Sequence, residues 1–160
     1  KIANEGVTLA KMATLADSTL IVGDGSGAPV AESGATLRTS IGVGTTDTVQ
    51  FKTVLATTDT DTSNTGSVTL DFAANQNFIL TFTGNVTLAN PSTEAVGQAG
   101  VIVIIQDGTG SRTLGLGTDY ETPGGAALAI STAASAVDII PYFVKAAGSI
   151  QLGAPQVAFS

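Results

Sequence analysis

The sequence contains no cysteine and no histidine, and its charged residues are scarce. Without cysteine the chain forms neither disulfides nor thiolate metal sites, and without histidine it lacks the usual base that activates a serine or threonine nucleophile. Charged side chains make up 12% of the 160 residues, against about 25% in an ordinary soluble domain. This deficit favours a chain that covers much of its surface with copies of itself. A monomer solvated by threonine, serine and asparagine is the alternative.

Basic residues and long apolar runs are also lacking. The net charge is −7, and the six lysines and arginines are scattered singly, so no basic cluster exists that would neutralise phosphates. The longest strongly apolar run, Val101 to Ile105, is far shorter than the ~20 residues that cross a bilayer. We therefore expect no nucleic-acid partner, no membrane insertion and no cofactor.

The first 50 residues show helical spacing followed by a turn-rich segment. An apolar stripe predicts a short helix over Thr8–Ala16, and it consists of Val7, Leu9, Met12 and Leu15. A helix this short is marginal in water, so we expect it to pack on another surface. A strand over Ser18–Val22, a loop rich in glycine and a second helix over about Gly34–Ile41, capped by Ser33, are predicted to follow. Because the chain begins inside a patterned segment, we also expect further chain before Lys1.

From Thr48 onward the pattern is that of β-strands, separated by turn formers at intervals of roughly ten residues. That rhythm is typical of an antiparallel β-sandwich or jelly roll. Two neighbouring strands, with Val68, Leu70 and Phe72 on one and Phe78, Leu80 and Phe82 on the other, are predicted to form a hairpin. The segment Gly100–Ile105 is apolar on both faces, which predicts a central strand with a candidate subunit interface on one side. The predicted strands are Thr48–Leu55, Ser67–Phe72, Asn77–Thr83, Asn85–Leu88, Gly100–Gln106, Arg112–Gly115, Ala127–Ser131, Val137–Val144, Ser149–Leu152 and Gln156–Phe159.

Pro141 interrupts the predicted strand Val137–Val144. Because proline cannot donate a hydrogen bond to a β-ladder, this strand is expected to lie at an edge or to be bulged there.

The segment "GVTLAKMATLADSTLIVGDGSGAPVAESGATLRTSIGVG", residues 6–44, resembles a module repeated in bacteriophage tail and side fibres. The second half is similar to the terminal β domain of many phage fibres, through "NFILTFTGNVTLANPS", "GVIVIIQDGTGSRTL" and "AVDIIPYFV". Gly115, Leu116 and Gly117 stand where that family often has an aromatic residue. The resemblance implies a homotrimer in which the first helix and strand wrap about the threefold axis, with Val7, Leu9, Met12 and Leu15 facing the axis.

The predicted architecture is therefore mainly β and trimeric. A fibre-shaft module with two short helices and a glycine-rich loop occupies residues 1–50. A jelly-roll-like antiparallel β-sandwich occupies residues 51–160.

Enzymatic and metal-binding patterns are weak. Asp119 and Glu121 are close enough in sequence to share a strand face and to act as the two carboxyls of a glycosidase. However, Tyr120 is the only aromatic residue near them, and the chain has no tryptophan, whereas sugar clefts usually contain aromatic platforms. The segment Asp59–Asn64 begins like a calcium loop, but Asn64 and Leu70 occupy positions that require Gly and Glu, so an exposed polar loop is favoured. We expect neither catalysis nor a metal site.

These observations favour a structural protein on the virion surface, a phage fibre that displays its β domain for host attachment. A capsid decoration, neck or head fibre protein that docks onto other virion proteins is the alternative, and a glycan-cleaving tailspike is disfavoured. The host partner would be a surface glycan or protein. The loops Asp107–Arg112 and Thr118–Gly125 are the predicted contact surface, unless they are ordinary solvated turns. Their candidate residues are Arg112, Asp119, Tyr120 and Glu121.

Overall fold

The computed structural model describes residues 18–23 and 29–159. The predicted first helix lies outside the described residues, so the axial role of Val7, Leu9, Met12 and Leu15 stays a prediction. Two compact units divide the chain between Val54 and Leu55.

The first unit contains a small antiparallel ribbon and one short helix. Strands β1 (Thr19–Gly23) and β2 (Pro29–Ser33) pair with Thr19 opposite Ser33, and helix α1 (Gly34–Ser40) follows directly. The second predicted helix and the predicted strand before it are thereby confirmed to within one residue. Ser33 makes no side-chain capping bond, contrary to the prediction. Gly42, with φ +74, ends the helix in the left-handed conformation that glycine adopts readily.

The second unit is built on one curled eight-stranded sheet, which confirms a mainly β chain. The strand order is β3-β4-β5-β8-β9-β7, with β6 paired to β4 and β10 paired to β8. The strands are β3 (Thr58–Thr69), β4 (Asn77–Ala89), β5 (Ala99–Gln106), β6 (Leu114–Leu116), β7 (Tyr120–Glu121), β8 (Val137–Ala146), β9 (Ser149–Leu152) and β10 (Gln156–Phe159).

Strand direction differs from the prediction. β3, β4 and β5 run parallel to one another, and only the pairs of β8 with β5, β9 and β10 are antiparallel in this sheet. The predicted hairpin is therefore wrong, as is a purely antiparallel sheet. The link between β3 and β4 returns the chain to the start of β3, where the backbone N–H groups of Gln76 and Asn77 both donate to the carbonyl of Thr57.

The sheet curls along β4, which changes neighbours near Gly84. The first half of β4, Phe78–Phe82, pairs with β5, and the second half, Val86–Leu88, pairs with β6. A Cβ at Gly84 would overlap the Thr65 side chain on β3, so only glycine allows the two strands to approach this closely.

The concave side of the curled sheet holds the core. Alternate residues of β4, β5 and β8 point inward, and they are joined by Phe72 from the link after β3. The Phe72 ring lies 5.0 Å from Phe78 and 5.3 Å from Tyr142 between centroids. The Tyr142 hydroxyl donates to the carbonyl of Gln76 at 2.5 Å, and burial raises the pKa of Tyr142 to about 12, so the phenol stays a donor at neutral pH.

Pro141 lies in a central strand whose register with β5 is unbroken at this residue, so the strand is neither at an edge nor bulged there, contrary to the prediction. On one side β8 pairs with β5, where Pro141 is opposite Val101. On the other side the Pro141 carbonyl accepts a bond from the N–H of Gly153, in the link between β9 and β10. A residue's N–H and C=O point to the same side of a strand. The N–H that proline lacks would therefore have faced the link between β9 and β10. Because this link is not part of a continuous ladder, the absence of the N–H breaks no ladder.

Candidate functional site

The predicted contact loop Asp107–Arg112 is closed by its own side chains. The Asp107 carboxylate accepts bonds from the N–H groups of Thr109 and Gly110 and pairs with the Arg112 guanidinium at 2.7 Å. The hydrogen bond from Arg112 holds the pKa of Asp107 below its usual value. Arg112 is therefore engaged in shaping the loop, and its charge is already matched before any partner arrives.

Gln106, which sequence reasoning did not single out, holds the same loop to the sheet. Its side chain is 2% exposed. Its amide oxygen accepts a bond from the Arg112 N–H at 2.9 Å, and its amide nitrogen donates to the carbonyls of Arg112 and Ser131. All three contacts are to backbone, so Gln106 fixes the loop in place without contributing to a surface.

Tyr120 lies in the core, contrary to its predicted role as a surface contact. It is 6% exposed and stands opposite Ile150 of β9. Its hydroxyl has no hydrogen-bond partner in the part of the chain that the structure describes. Burial, reinforced by the nearby charges of Glu94 and Asp119, raises the pKa of Tyr120 well above its usual value. The ring is thus a neutral packing element.

Glu121, the next residue, points to the opposite face and is accessible. Its carboxylate accepts bonds from the Lys145 ammonium at 3.0 Å and the Ser149 hydroxyl at 2.7 Å. The bonds from Ser149 and Lys145 lower the pKa of Glu121, so this carboxylate is ionised at neutral pH. Asp119 is half-buried, and its backbone N–H donates to the Asn90 side chain.

An exposed row of side chains crosses the sheet at Glu121. Glu121 of β7 is opposite Gln151 of β9, which is opposite Phe143 of β8. Phe143 is 46% exposed, and Lys145 lies two residues beyond it on the same strand. Because neighbouring strands are about 4.8 Å apart, the row spans roughly 10 Å. We call Glu121, Phe143, Lys145 and Gln151 the Glu121 row.

Two shallow grooves flank the Glu121 row. The smaller, of about 330 Å³, is lined by Glu121, Gln151, Thr122, Pro123 and Leu152. The larger, of about 640 Å³, lies between β6 and β7, and Glu121 also forms part of its wall. The Phe143 ring and the Gln151 amide beside grooves of this size can stack on and hydrogen-bond a small polar ligand, while Glu121 and Lys145 are already paired with each other.

Residues 62–149, more than half of the chain, match a family model described as "Putative phage tail fibre C-terminal domain". The chain belongs to this phage tail fibre family. The resemblance to phage fibres is thereby confirmed. Comparisons with curated proteins and with solved structures give no significant match.

The tail fibre match spans most of the curled sheet. It covers the Asp107–Arg112 loop and three members of the Glu121 row, Glu121, Phe143 and Lys145, whereas Gln151 lies just beyond its end. As a tail fibre component, the protein is part of the virion.

The segment Asp59–Asn64 of the tail fibre chain is strand rather than the exposed loop predicted for it. It lies within β3, and the Asn64 side chain is buried and donates to the carbonyls of Asp61 and Thr81. Among the described residues, no group of three or more acidic side chains is placed to hold a metal ion, and no helix is long and apolar enough to span a membrane.

Proposed function

We propose that this tail fibre protein is a trimer whose β domain attaches the virion to its host and catalyses no reaction. The observation that carries the proposal is the Glu121 row, an exposed aromatic and polar surface on a rigid sheet. Binding sites on such scaffolds are recognised by their side-chain chemistry. The partner is a glycan or protein of the host surface, and three linked copies of a weak site gain avidity.

The lowered pKa of Glu121 makes this residue a poor general acid for a glycan-cleaving tailspike. A glycosidase needs one carboxyl that stays protonated near neutral pH in order to protonate the leaving group. Glu121 is held ionised by Ser149 and Lys145, so it is poorly suited to be that acid. The family match to tail fibres favours the tail over a head, neck or decoration location.

Exposed apolar side chains support the trimer. Phe51, Val54 and Leu55 are 65%, 73% and 92% exposed in a segment without helix or strand. Large apolar side chains that are uncovered within one chain commonly mark contacts with another. The low charge content supports the same conclusion.

The trimer predicts a mass of about 48 kDa in solution, three times the 15.9 kDa of one chain. Multi-angle light scattering of the purified 160-residue chain, over at least a tenfold range of concentration, measures this directly. A folded chain that elutes at 16 kDa throughout that range would remove the trimer from the proposal.

Attachment through the Glu121 row predicts that Phe143→Ala and Gln151→Ala each weaken binding to host cells about tenfold or more, since truncation of an anchoring side chain commonly costs about 1.4 kcal/mol or more. The measurement is adsorption of the fluorescently labelled protein to cells of a strain that the phage infects. Thr87→Ala, an exposed change on the second half of β4, is the control. Unchanged adsorption of both row variants would exclude this surface and return attention to the Thr118–Gly125 loop.

A further inference from the structure

The convex face of the sheet is apolar across β4, β5 and β8. On these strands the residues that alternate with the core point outward, and six of them are branched aliphatic side chains that are only half-buried. We call this set the outer apolar face, and it consists of Ile79, Val101, Val103, Ile105, Val137 and Ile139. The strand register places Ile79 beside Val103, and Val103 beside Ile139, so the six side chains form one continuous surface.

Outward positions at the start of β3 and on the second half of β4 are polar. β3 carries Thr58 and Thr60 on this side, opposite Asn77 and Ile79, and the second half of β4 carries Thr83, Asn85 and Thr87, all exposed. A sheet with one face in water normally alternates apolar and polar residues, and here β3 and the end of β4 follow that rule. The chain departs from the rule on the outer apolar face and at two aromatic residues that continue it, Phe143 of β8 and Phe159 of β10 beside Val137. This departure indicates that the face is covered in the working protein.

We propose that the outer apolar face packs against the same face of the other copies in the trimer. This inference rests on the proposed trimer and deepens it by naming the contact. Each copy carries a net charge of −7, so copies repel one another wherever acidic surfaces meet. The outer apolar face contains no charged side chain. Thr58, Thr60, Asn77 and Gln156 border it, and along β8 it runs through Pro141 to Phe143, where the Glu121 row begins. An apolar, uncharged centre is typical of an interface between identical subunits.

The proposal predicts that Val103→Asp dissociates the trimer. At the centre of the face the substitution buries one carboxylate from each copy without a basic partner, and we expect association to weaken at least 100-fold. Light scattering should then give about 16 kDa for the variant and about 48 kDa for the unchanged protein. Thr87→Asp adds the same charge on the second half of β4 and should remain trimeric.

The outcomes separate the contact from the trimer itself. A trimeric Val103→Asp variant with an unchanged melting temperature overturns the outer apolar face as the contact and leaves the trimer standing. A monomeric unchanged protein overturns both. Dissociation of Thr87→Asp to the same extent would also overturn the assignment, because the effect would then be one of charge alone.

Spin labels give a second measurement that needs no disruptive charge. The chain has no cysteine, so Val103→Cys and Thr87→Cys each provide one labelling site per copy. Pulsed electron resonance between copies should give a shorter distance for the label at position 103 than for the label at 87. Equal distances, or a longer distance at 103, would place the outer apolar face away from the contact.

Discussion

Replacing Asp138 with alanine is expected to lower the free energy of unfolding of the β domain by about 2–5 kcal/mol. Asp138 on β8 is 2% exposed. Its carboxylate accepts bonds from the Ser131 N–H at 2.5 Å, the Ser131 hydroxyl at 2.7 Å and the Ala158 N–H at 2.9 Å. A buried donor that is left without a partner costs about 1–3 kcal/mol. Alanine leaves three donors unpaired, two from the half-buried Ser131 and one from the exposed Ala158, which water can reach. Urea denaturation followed by circular dichroism measures the loss.

The position of Asp138 also predicts which backbone amides become less protected when its side chain is removed. β10 pairs with β8 only at Gln156 and Phe159, with an irregularity between them, and Ala158 has φ +60. The bond from Ala158 to Asp138 therefore holds the middle of β10. In Asp138→Ala, hydrogen exchange should accelerate first at the amides of Ser131 and Ala158.

Two companion variants isolate the cause. Asp138→Asn keeps the shape and one acceptor oxygen, so it should lie between the alanine variant and the unchanged protein. Asp59→Ala removes the same charge from a half-buried site on β3 and should change stability much less. Equal unfolding free energies for Asp138→Ala and the unchanged protein would show that β10 is held in some other way.

The positions of most strands in the β domain were predictable from the sequence, because alternation identifies a strand without regard to its partners. The predicted strands at Gly100–Gln106, Val137–Val144 and Ser149–Leu152 agree with β5, β8 and β9 to within two residues. Direction was not predictable in the same way. The same residues of β4 face the core whether β3 runs parallel or antiparallel to it. The apolar pattern therefore cannot distinguish a hairpin from the parallel pair that forms.

Alternation also failed where no neighbouring strand is present. Thr48–Leu55 has the residue types of a strand, yet it forms neither helix nor strand, and Leu55 is 92% exposed. A strand needs a partner for its backbone groups, and the described chain supplies none to this segment.

Which residues belong to the candidate site depends on whether each side chain of a strand faces the core or the solvent. Tyr120 and Glu121 are adjacent, so one must face the core when the other faces solvent, and a strand of two residues is too short to show which. The alternation of inward and outward positions could have identified the two buried polar residues that were not predicted, Gln106 and Asp138. Gln106 continues the inward series of Ile102 and Ile104, and Asp138 begins the inward series of Ile140 and Tyr142. A polar residue in a buried phase predicts a hydrogen-bonding anchor.

Replacing Phe78 with alanine is expected to destabilise the β domain by about 3–5 kcal/mol, through lost burial and the cavity that remains. Phe78 is fully buried and packs against Phe72 and Tyr142, and these rings are constrained by the Tyr142 bond to Gln76. Because the site cannot close easily around a smaller side chain, the cost should lie toward the upper end. Urea denaturation measures this loss of stability relative to the unchanged protein. The loss should not depend on protein concentration, since the cavity lies inside one chain.

The neighbouring variant Ile79→Ala tests the other face of the same strand. Ile79 is half-buried on the outer apolar face, so its truncation should remove little from the fold of one copy, about 1 kcal/mol or less. If copies meet there, the same change also weakens the trimer, so the loss of stability should be larger at high protein concentration and should fall toward the single-chain value as both proteins are diluted to monomers. A cost as large as that of Phe78→Ala at every concentration would mean that Ile79 is covered within its own chain. An unchanged trimer with no cost at any concentration would mean that nothing packs on it.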